Sequence, residues 1–481
     1  MSSDTLPLLV GIVHVALALG VSAHIVLTKA DVRAAIGWIG LVWLTPVIGS
    51  AMYVFLGVNR IRRRAGQIRR DRTTVGMTRT GSHGVPRPTP PTHHLVPESL
   101  RGLATLTERV TGAPLVAGNS VEPLVGGDAG YPAMIEAIDG ATRSVGLATY
   151  IFDRGVVADR FVDALARAVA RGVAVRVLID GVGARYSHPP IVSELRARGV
   201  TVQEFLPSAL PFAHLTFNLR NHRKLMIVDG TTGFCGGLNI RDACMLSLNP
   251  RHPTQDVHFR FRGPIVRQMM NAFAFDWQFA APETLDGEPW RAPTDAAAGP
   301  VVARGIPDGP DEDFEALLFT FLGAIAHARR RIRILTPYFL PDPPLIDALK
   351  VAALSGVDVE IVLPALGNLR TVQWAQTAQL GQVLRSGCRV FLTPEPFDHS
   401  KLFTVDGAWS LVGSANWDPR SLRLNFEYVV ECYCPDLAAQ LDAMIDAKRD
   451  AGREYTMAEY RGRPLPAKLR DGLVWLAQPY L

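Results

Sequence analysis

One short pattern occurs twice in this 481-residue chain: NHRKLMIVDG at residues 221–230 and DHSKLFTVDG at residues 398–407. Both read H-x-K-x-x-x-x-D-G, and the two histidines stand 177 positions apart (399 − 222). The repetition extends beyond the motif. Tyr150 matches Tyr338, Gly172 matches Gly356 and Gly199 matches Gly387, at offsets of 188, 184 and 188. Each half carries the same order of patterns. YPAMIEAIDGATR reads as helix, SVGLATYIF as strand, VADRFVDALARAVARG as helix and VAVRVLID as strand; FEALLFTFLGAIAHARRR, IRILTPYFL, LIDALKVAALSG and VDVEIVLP repeat the sequence. Alternating strands and helices predict an α/β fold, with mixed, mostly parallel sheets flanked by helices. An offset near 180 residues is too long for a solenoid repeat. The pattern therefore predicts two homologous domains packed face to face with pseudo-two-fold symmetry. That arrangement brings both motif copies to one cleft, where ligand sites commonly form.

The N-terminus is of another kind. Leu6 to Leu27 and Ala34 to Gly57 are runs of 22 and 24 residues without a formal charge. Roughly 20 apolar residues span a bilayer core, so the pair predicts a two-helix transmembrane hairpin. A signal peptide fits badly, because MSSDT has no basic segment and a second apolar run follows at once. Two uncharged runs of this length are also hard to bury in a soluble core. Residues 59–72, NRIRRRAGQIRRDR, hold seven arginines and one aspartate. By the positive-inside rule they place the chain beyond Gly57 in the cytoplasm, next to anionic headgroups. That cluster carries +6 of the chain's formal +5, so the remainder sums to −1. A body of that charge is a poor nucleic-acid groove. Residues 80–98, with five prolines, read as an extended spacer, and His93 and His94 within it as solvated side chains. Five cysteines without a C-x-x-C pair fit a reducing compartment and no disulfide framework.

In a strand, residues two apart share a face. His222 therefore lies with Lys224, and His399 with Lys401. Asp229 and Asp406 have the opposite parity and sit at the strand end, shaping a turn or pairing with a distant group. An ammonium beside each histidine argues against a metal site, and no zinc-ligand spacing is present. Two histidines and two lysines instead suit an anionic phosphate. The lysines stabilise charge on phosphoryl oxygens, one histidine attacks phosphorus, and the other protonates the leaving oxygen. Each imidazole needs an orienting acid. Asp256 and Glu427, 34 and 28 residues after the motif histidines, are the candidates. A turn with Asn follows each motif: GGLN with Gly237 and Asn239, and GSAN with Ser414 and Asn416.

These residues resemble the phospholipase D superfamily, whose signature is the duplicated H-x-K-x-x-x-x-D motif. Within it the chain is similar to the bacterial cardiolipin synthases. The likeness covers nearly the whole length, including GWIGLVWLTPVIGSAMYVFLG, YIFDRG, RGVAVRVLIDGVG, TPYFLP, HSKLFTVDGAWSLVGSANWDPRSLRLNFE and LRDGLVWLAQPYL. The resemblance implies a phosphatidyltransferase that moves a phosphatidyl group from one phosphatidylglycerol to another and releases glycerol, through a phosphatidyl-histidine. No metal, nucleotide or other cofactor is implied. The catalytic set is then His222, Lys224, Asp229, His399, Lys401 and Asp406. By analogy His222 is the nucleophile and His399 the general acid and base, although the near-symmetric motifs do not distinguish them. Asn239, Ser414, Asn416, Asp256 and Glu427 bind phosphate or support the set.

The expected division is 1–75 membrane hairpin and arginine-rich segment, 76–112 proline-rich linker, 113–298 first catalytic domain and 299–481 second. The expected partners are phosphatidylglycerol, other anionic phospholipids and the membrane, without nucleic acid; an oligomer is compatible with the sequence. The expected location is the bacterial inner or plasma membrane, multi-pass, with cytoplasmic catalytic domains. Two departures stand out: Gly237 where the second half has Ser414, and Asp398 before the second histidine, expected to point to solvent. The apolar stretch FLPSALPFAHLTF at 205–217 reads as a loop over the core, with a dip into the interface as the alternative. Trp409 and Trp417 read as core. The rival functions are hydrolysis of a phosphodiester, since transfer depends on excluding water, and a binding module with relic motifs, which the complete His, Lys and Asp sets oppose.

Overall fold

The computed structural model describes residues 5–29, 32–57, 92–207, 219–291, 296–309 and 315–478. The arginine cluster at 59–72 and residues 208–217 of the apolar stretch lie outside them.

In the N-terminal unit the first apolar run forms one unbroken helix, α1 (Thr5–Thr28), long and apolar enough to cross a membrane. The second run does not. It divides into α2 (Val32–Leu44) and α3 (Pro46–Met52), followed by a π turn at Tyr53–Gly57. Pro46 has no N–H and disfavours helical geometry in its predecessor. Thr45 accordingly leaves the helix at φ −141°, ψ 73°. In place of the two continuous helices expected from 6–27 and 34–57 there is one long helix followed by a broken pair. Ala18, Ile25, Val42 and Tyr53 form a small buried cluster in this unit, and the Tyr53 hydroxyl meets His24 Nδ1 at 2.9 Å.

The body begins earlier than the sequence suggests. Residues 92–111, expected in the linker, are folded and end in α4 (Arg101–Thr111). The first half continues with β1 (Val116–Val125), α5 (Gly126–Asp139), β2 (Ser144–Thr149), α6 (Val156–Ala170), β3 (Ala174–Asp180), α7 (Ile191–Ala197), β4 (Thr201–Phe205), β5 (Leu225–Val228), β6 (Thr232–Gly236), β7 (Thr254–Gln255), β8 (Val257–Arg262) and α8 (Ile265–Ala280). The second half runs β9 (Val301–Asp308), α9 (Ala316–His327), β10 (Arg331–Leu335), α10 (Pro343–Leu354), β11 (Asp358–Pro364), α11 (Arg370–Leu384), β12 (Arg389–Thr393), β13 (Phe397–Asp398), β14 (Leu402–Val405), β15 (Trp409–Gly413), α12 (Pro419–Arg423), β16 (Glu427–Tyr433), α13 (Pro435–Ala451), β17 (Arg453–Glu454), α14 (Met457–Gly462) and α15 (Leu465–Trp475).

Helix α4 packs on α9 of the second half, where Gly102 and Gly323 permit close approach. A Cβ on Gly102 would lie 2.2 Å from His327 Nε2, and one on Gly323 2.5 Å from Leu106 Cδ2. Arg304 Nη2 donates to Ala104 O at 2.9 Å. His93 is buried and meets Glu108 Oε2 at 3.1 Å, so it is not the solvated side chain a spacer implied.

One 15-stranded sheet crosses both halves, in the order β17–β12–β11–β10–β14–β15–β16–β9–β1–β8–β6–β5–β2–β3–β4. Counted outward from the antiparallel β1–β9 pair, equivalent strands occupy equivalent places in each half. Within this sheet only β2–β3, β3–β4, β10–β11 and β11–β12 are parallel. The expected mostly parallel sheet is therefore mixed and mostly antiparallel. The reason lies in the motif. Asp229-Gly230 and Asp406-Gly407 all take positive φ, between 54° and 66°. Ala408 N closes its turn on Val405 O at 3.1 Å and Thr231 N closes on Val228 O at 3.0 Å. Such tight turns can join only antiparallel neighbours.

The motif aspartates complete these turns. Asp229 Oδ1 accepts from the N–H groups of Arg143 and Ser144, and Oδ2 from Thr142 N and Oγ1, at 2.8–2.9 Å. Asp406 accepts from Arg329 N, Arg330 N and Arg331 N at 2.8–2.9 Å. Each clamps the start of the adjoining antiparallel strand, β2 or β10. Each lies at the far end of its strand from the histidine, roughly 20 Å away at the rise of extended chain. The side-chain partners of Asp229 and Asp406 are thus those of the turn and the adjoining strand start, not the motif histidines or lysines. Asp229→Ala is expected to cost about 2 kcal/mol or more through the stranded N–H groups, with activity per folded molecule within about twofold. Thermal melts beside specific activity check this. A large loss of activity at unchanged melting temperature would return the aspartate to the chemistry.

Candidate active site

Each motif histidine is delivered by a segment that pairs with the other half. Asn221 bridges Phe426, with His222 N donating to Phe426 O at 2.9 Å and Phe426 N to Arg220 O at 2.8 Å. Likewise β13 pairs with β7, and His399 N donates to Gln255 O at 2.8 Å. Phe426 and Gln255 each immediately precede a carboxylate. Consequently His222 Nδ1 meets Glu427 Oε1 and Oε2 at 2.9 and 3.0 Å, and His399 Nδ1 meets Asp256 Oδ2 at 2.7 Å. The acids are those read from the sequence, but the pairs cross: each histidine is held by the carboxylate of the opposite half.

Lys224 and Lys401 stand beside them, both buried. Lys224 Nζ donates to His222 O at 2.7 Å and Lys401 Nζ to His399 O. Tyr150 and Tyr338, noticed in the sequence only as markers of the repeat, close the walls. Their rings stand edge-on to His222 and His399 at centroid distances of 5.3 and 6.3 Å. Lys224 Nζ lies 5.4 Å from the Tyr150 ring centroid.

The supporting residues divide unequally. Ser414 Oγ donates to Glu427 Oε2 at 2.5 Å and accepts from Tyr428 N at 3.0 Å, so its one proton supports the acid and not a ligand. Asn425 Nδ2 adds a bond to Glu427 Oε1 at 3.2 Å. Gly237 occupies the matching place in the first half, where a Cβ would fall 2.1 Å from Asp256 Oδ1. Asp256 Oδ1 takes the backbone N–H of Val257 instead. Asn239 Oδ1 accepts from Ile151 N at 3.1 Å. The Asn416 side chain bonds Asp418. Asp398 is buried, caps Ser400 N and pairs with Lys448 at 2.8 Å, contrary to the solvent-facing expectation. Trp409 and Trp417 are buried, as core residues are.

Sequence reading missed Arg223, although its parity was visible. One position from both His222 and Lys224, it faces the opposite side of the extended segment. There its guanidinium bonds Asp276 of α8, Glu427 O at 2.8 Å and Asp308 O at 3.1 Å, tying the first motif to β16 and β9.

Burial lowers the His222 pKa to about 4, Glu427 opposing the fall and Lys224 adding to it. Burial and Lys401 lower His399 to about 4 against the pull of Asp256. Burial raises both acids, but Lys401 and His399 outweigh it at Asp256, and His222 and Lys224 at Glu427, so both stay below the ordinary carboxylate range. At neutral pH the site thus holds two uncharged imidazoles, each donating Nδ1–H to a carboxylate and presenting Nε2 as a bare lone pair. Burial also brings Lys224 to about 7, with Lys401 lowering it and Glu427 opposing. Two nucleophilic nitrogens and two ammonium groups in a dry setting can take a phosphodiester anion between them.

Two measurements test this geometry. Glu427→Gln is expected to move the ¹⁵N resonances of His222 and not those of His399, and Asp256→Asn the reverse; movement within the same half would refute the crossing. The depressed histidines make the folded state lose stability as pH falls from about 6.5 to about 4, because the unfolded chain binds protons first. A His222→Asn/His399→Asn variant is expected to show a shallower melting-temperature slope in that window, and an unchanged slope would mean that these imidazoles are not held neutral.

A family model described as "Cardiolipin synthase, PLD-like domain" matches residues 134–252 and 321–449. The chain is 32% identical over 458 residues to the major cardiolipin synthase ClsA of Bacillus subtilis (strain 168), covering 94% of this chain and 95% of that one. It is 31% identical over 458 residues to a cardiolipin synthase of Geobacillus sp. (strain WCH70), covering 93% and 88%. Among solved structures, the phosphatidylserine synthase of Haemophilus influenzae Rd KW20 shares the fold, with a TM-score of 0.59 at 15% identity over 79% of this chain and 100% of that one.

Proposed function

Because this chain belongs to the cardiolipin synthase family of phospholipase D-like proteins and is a phospholipid phosphatidyltransferase, we propose that it joins two molecules of phosphatidylglycerol into cardiolipin and releases glycerol through a phosphatidyl-histidine. The observation that carries the reading is the crossed pair: two buried imidazoles, each oriented through Nδ1 by a carboxylate of the other half, with a lysine beside each.

The phosphodiester enters between the imidazoles, and its charge favours protonation of one of them. His222 Nε2 attacks phosphorus while Glu427 stabilises the imidazolium that forms. The P–O bond to glycerol breaks, and His399 gives that oxygen its proton. A second phosphatidylglycerol then brings its hydroxyl to His399, which removes the proton as the oxygen attacks phosphorus and frees His222. Lys224 and Lys401 hold the phosphoryl oxygens. Asp256 and Glu427 orient the histidines, and Ser414 positions Glu427. The repeated strand order supports a pseudo-two-fold relation between catalytic halves near 113–298 and 299–481. The apolar N-terminal helices before the arginine cluster support a membrane hairpin, with the catalytic halves in the bacterial cytoplasm. Hydrolysis is the competing outcome if water replaces the second lipid.

The test is labelled phosphatidylglycerol in mixed micelles, with products read by mass spectrometry. Cardiolipin and glycerol are expected, falling about a thousandfold in His222→Ala and in His399→Ala. With a donor bearing a good leaving group, His399→Ala is expected to trap a phosphatidyl adduct on the His222 peptide after alkaline quenching. An adduct on the His399 peptide, formed by His222→Ala, would reverse the two roles. Phosphatidic acid as the main product would make the protein a hydrolase.

A further inference from the structure

Helix α15 carries leucines at 465, 469 and 473, and Leu476 follows at its end. At 100° per residue they fall on one stripe about 80° wide. All four are exposed, at 67%, 64%, 71% and 71%. An apolar stripe of this kind on a finished fold marks a surface that meets something else.

The helix is already fastened on its other face. Asp471 is buried and takes Arg463 at 2.7 Å and Arg470 at 2.7 Å. Arg470 also lies over Trp374 of α11 at 4.4 Å. Val474 and Trp475 pack against the cluster of Leu340, Val372 and Ala375, and Gln478 Nε2 donates to Leu340 O at 2.9 Å. The stripe is thus held outward by a rigid seat. Tyr338 packs against the same cluster, and its ring stands edge-on to His399 at 6.3 Å. Near the same end, Leu366 and Leu369 are 59% and 50% exposed, on the loop whose Asn368 accepts from Tyr338 OH at 2.7 Å.

We propose that this face is a bilayer-docking surface that lays the leucine stripe of α15 into the apolar layer of an anionic phospholipid membrane and sets the His399 side of the active site at the headgroups. Its choice of lipid rests on the phosphatidylglycerol reading above. Residues 457–478 supply four basic and two acidic side chains. One of those acids, Asp471, is buried in its arginine clamp, and the other, Glu459, is held by Arg453. The charge left to face outward is therefore positive, as an interfacial helix on anionic lipid requires. Docking would let a lipid headgroup enter the cleft without its acyl chains crossing water.

The five native cysteines are all buried, so one introduced cysteine can be labelled selectively. The full chain carrying Leu473→Cys with an environment-sensitive fluorophore is reconstituted into phosphatidylglycerol vesicles, with Asp163→Cys on α6 as the reference. Blue-shifted emission quenched by spin-labelled acyl chains at 473 and not at 163 is expected. Water-like emission would overturn the proposal, as would a shift insensitive to the quencher lipid and growing with protein concentration, which marks a second copy on the stripe. Leu469→Ser/Leu473→Ser is expected to lower kcat/KM on vesicles about tenfold or more and to leave turnover of a short-chain, water-dispersed phosphatidylglycerol unchanged. Equal loss on both substrates, or on neither, would also overturn it. If the unsubstituted protein turned over neither, the substrate reading would fail, and the quenching result would still decide the docking.

Discussion

Everything in the catalytic half of this molecule depends on the crossed histidine–carboxylate pairs. A buried carboxylate without a partner costs several kcal/mol, and so does a buried lysine. Here the charged partners that hold each carboxylate low include groups of the other half. Glu427 needs His222 and Lys224 from the first half, and Asp256 needs His399 and Lys401 from the second. Separating the halves would strand four buried charges. The single continuous sheet joined at β1–β9, with the short bridges at Asn221–Phe426 and β7–β13, is what makes the crossing geometrically available. The duplicated motif is therefore one site divided between two repeats, and neither repeat is complete by itself.

The two halves solve the same problem with different atoms. Glutamate reaches one methylene further than aspartate, and Ser414 and Asn425 fix the extra freedom by bonding both of its oxygens. Aspartate is short enough to be held by His399 and its neighbour's N–H. It then sits so close to the backbone that only Gly237 fits behind it. The Gly237/Ser414 difference and the Asp256/Glu427 difference are thus one compensated exchange. Exchanging either pair member alone is the costly change, because it leaves a loose carboxylate or a clash.

Most of the site was legible in the sequence because its chemistry is local. Histidine and lysine two apart in an extended segment must share a face, and their repetition at matched offsets marks a shared cleft. What the sequence could not display was contact between distant segments. Nothing near Glu427 says that it belongs to a histidine 205 positions earlier. The acids were found, but not the crossing, and Tyr150 and Tyr338 were seen only as landmarks. Other differences had local signals that general patterns masked. The Asp-Gly turns already required antiparallel neighbours, against the mostly parallel sheet that strand–helix alternation suggests. Pro46 already broke the second apolar run. The spacer composition of residues 80–91 obscured the amphipathic α4, whose Leu103 and Ala104 belong to the second half's core.

The charge balance explains why such a site waits for a phosphodiester. With both lysines protonated and no substrate, Lys224 and Lys401 offset Asp256 and Glu427, and the imidazoles are neutral, so these six groups sum to zero. An incoming phosphodiester adds one negative charge in a place where an unbalanced charge is expensive. One proton taken onto an imidazole restores the balance, and that proton is the one the leaving alkoxide needs. In the proposed reaction, attack by the other imidazole would convert phosphate anion and neutral ring into a phosphoryl-imidazolium of net zero charge, while the departing alcohol would carry the proton away neutral. No step leaves an uncompensated charge in the buried site. Water and a lipid hydroxyl meet the same electrostatics at the second step, so what favours transfer is whichever alcohol the surroundings deliver to His399. On the docking proposed above, that delivery is decided beside His399. Tyr338 stands there, packed on the same small cluster as a helix that turns its leucines outward.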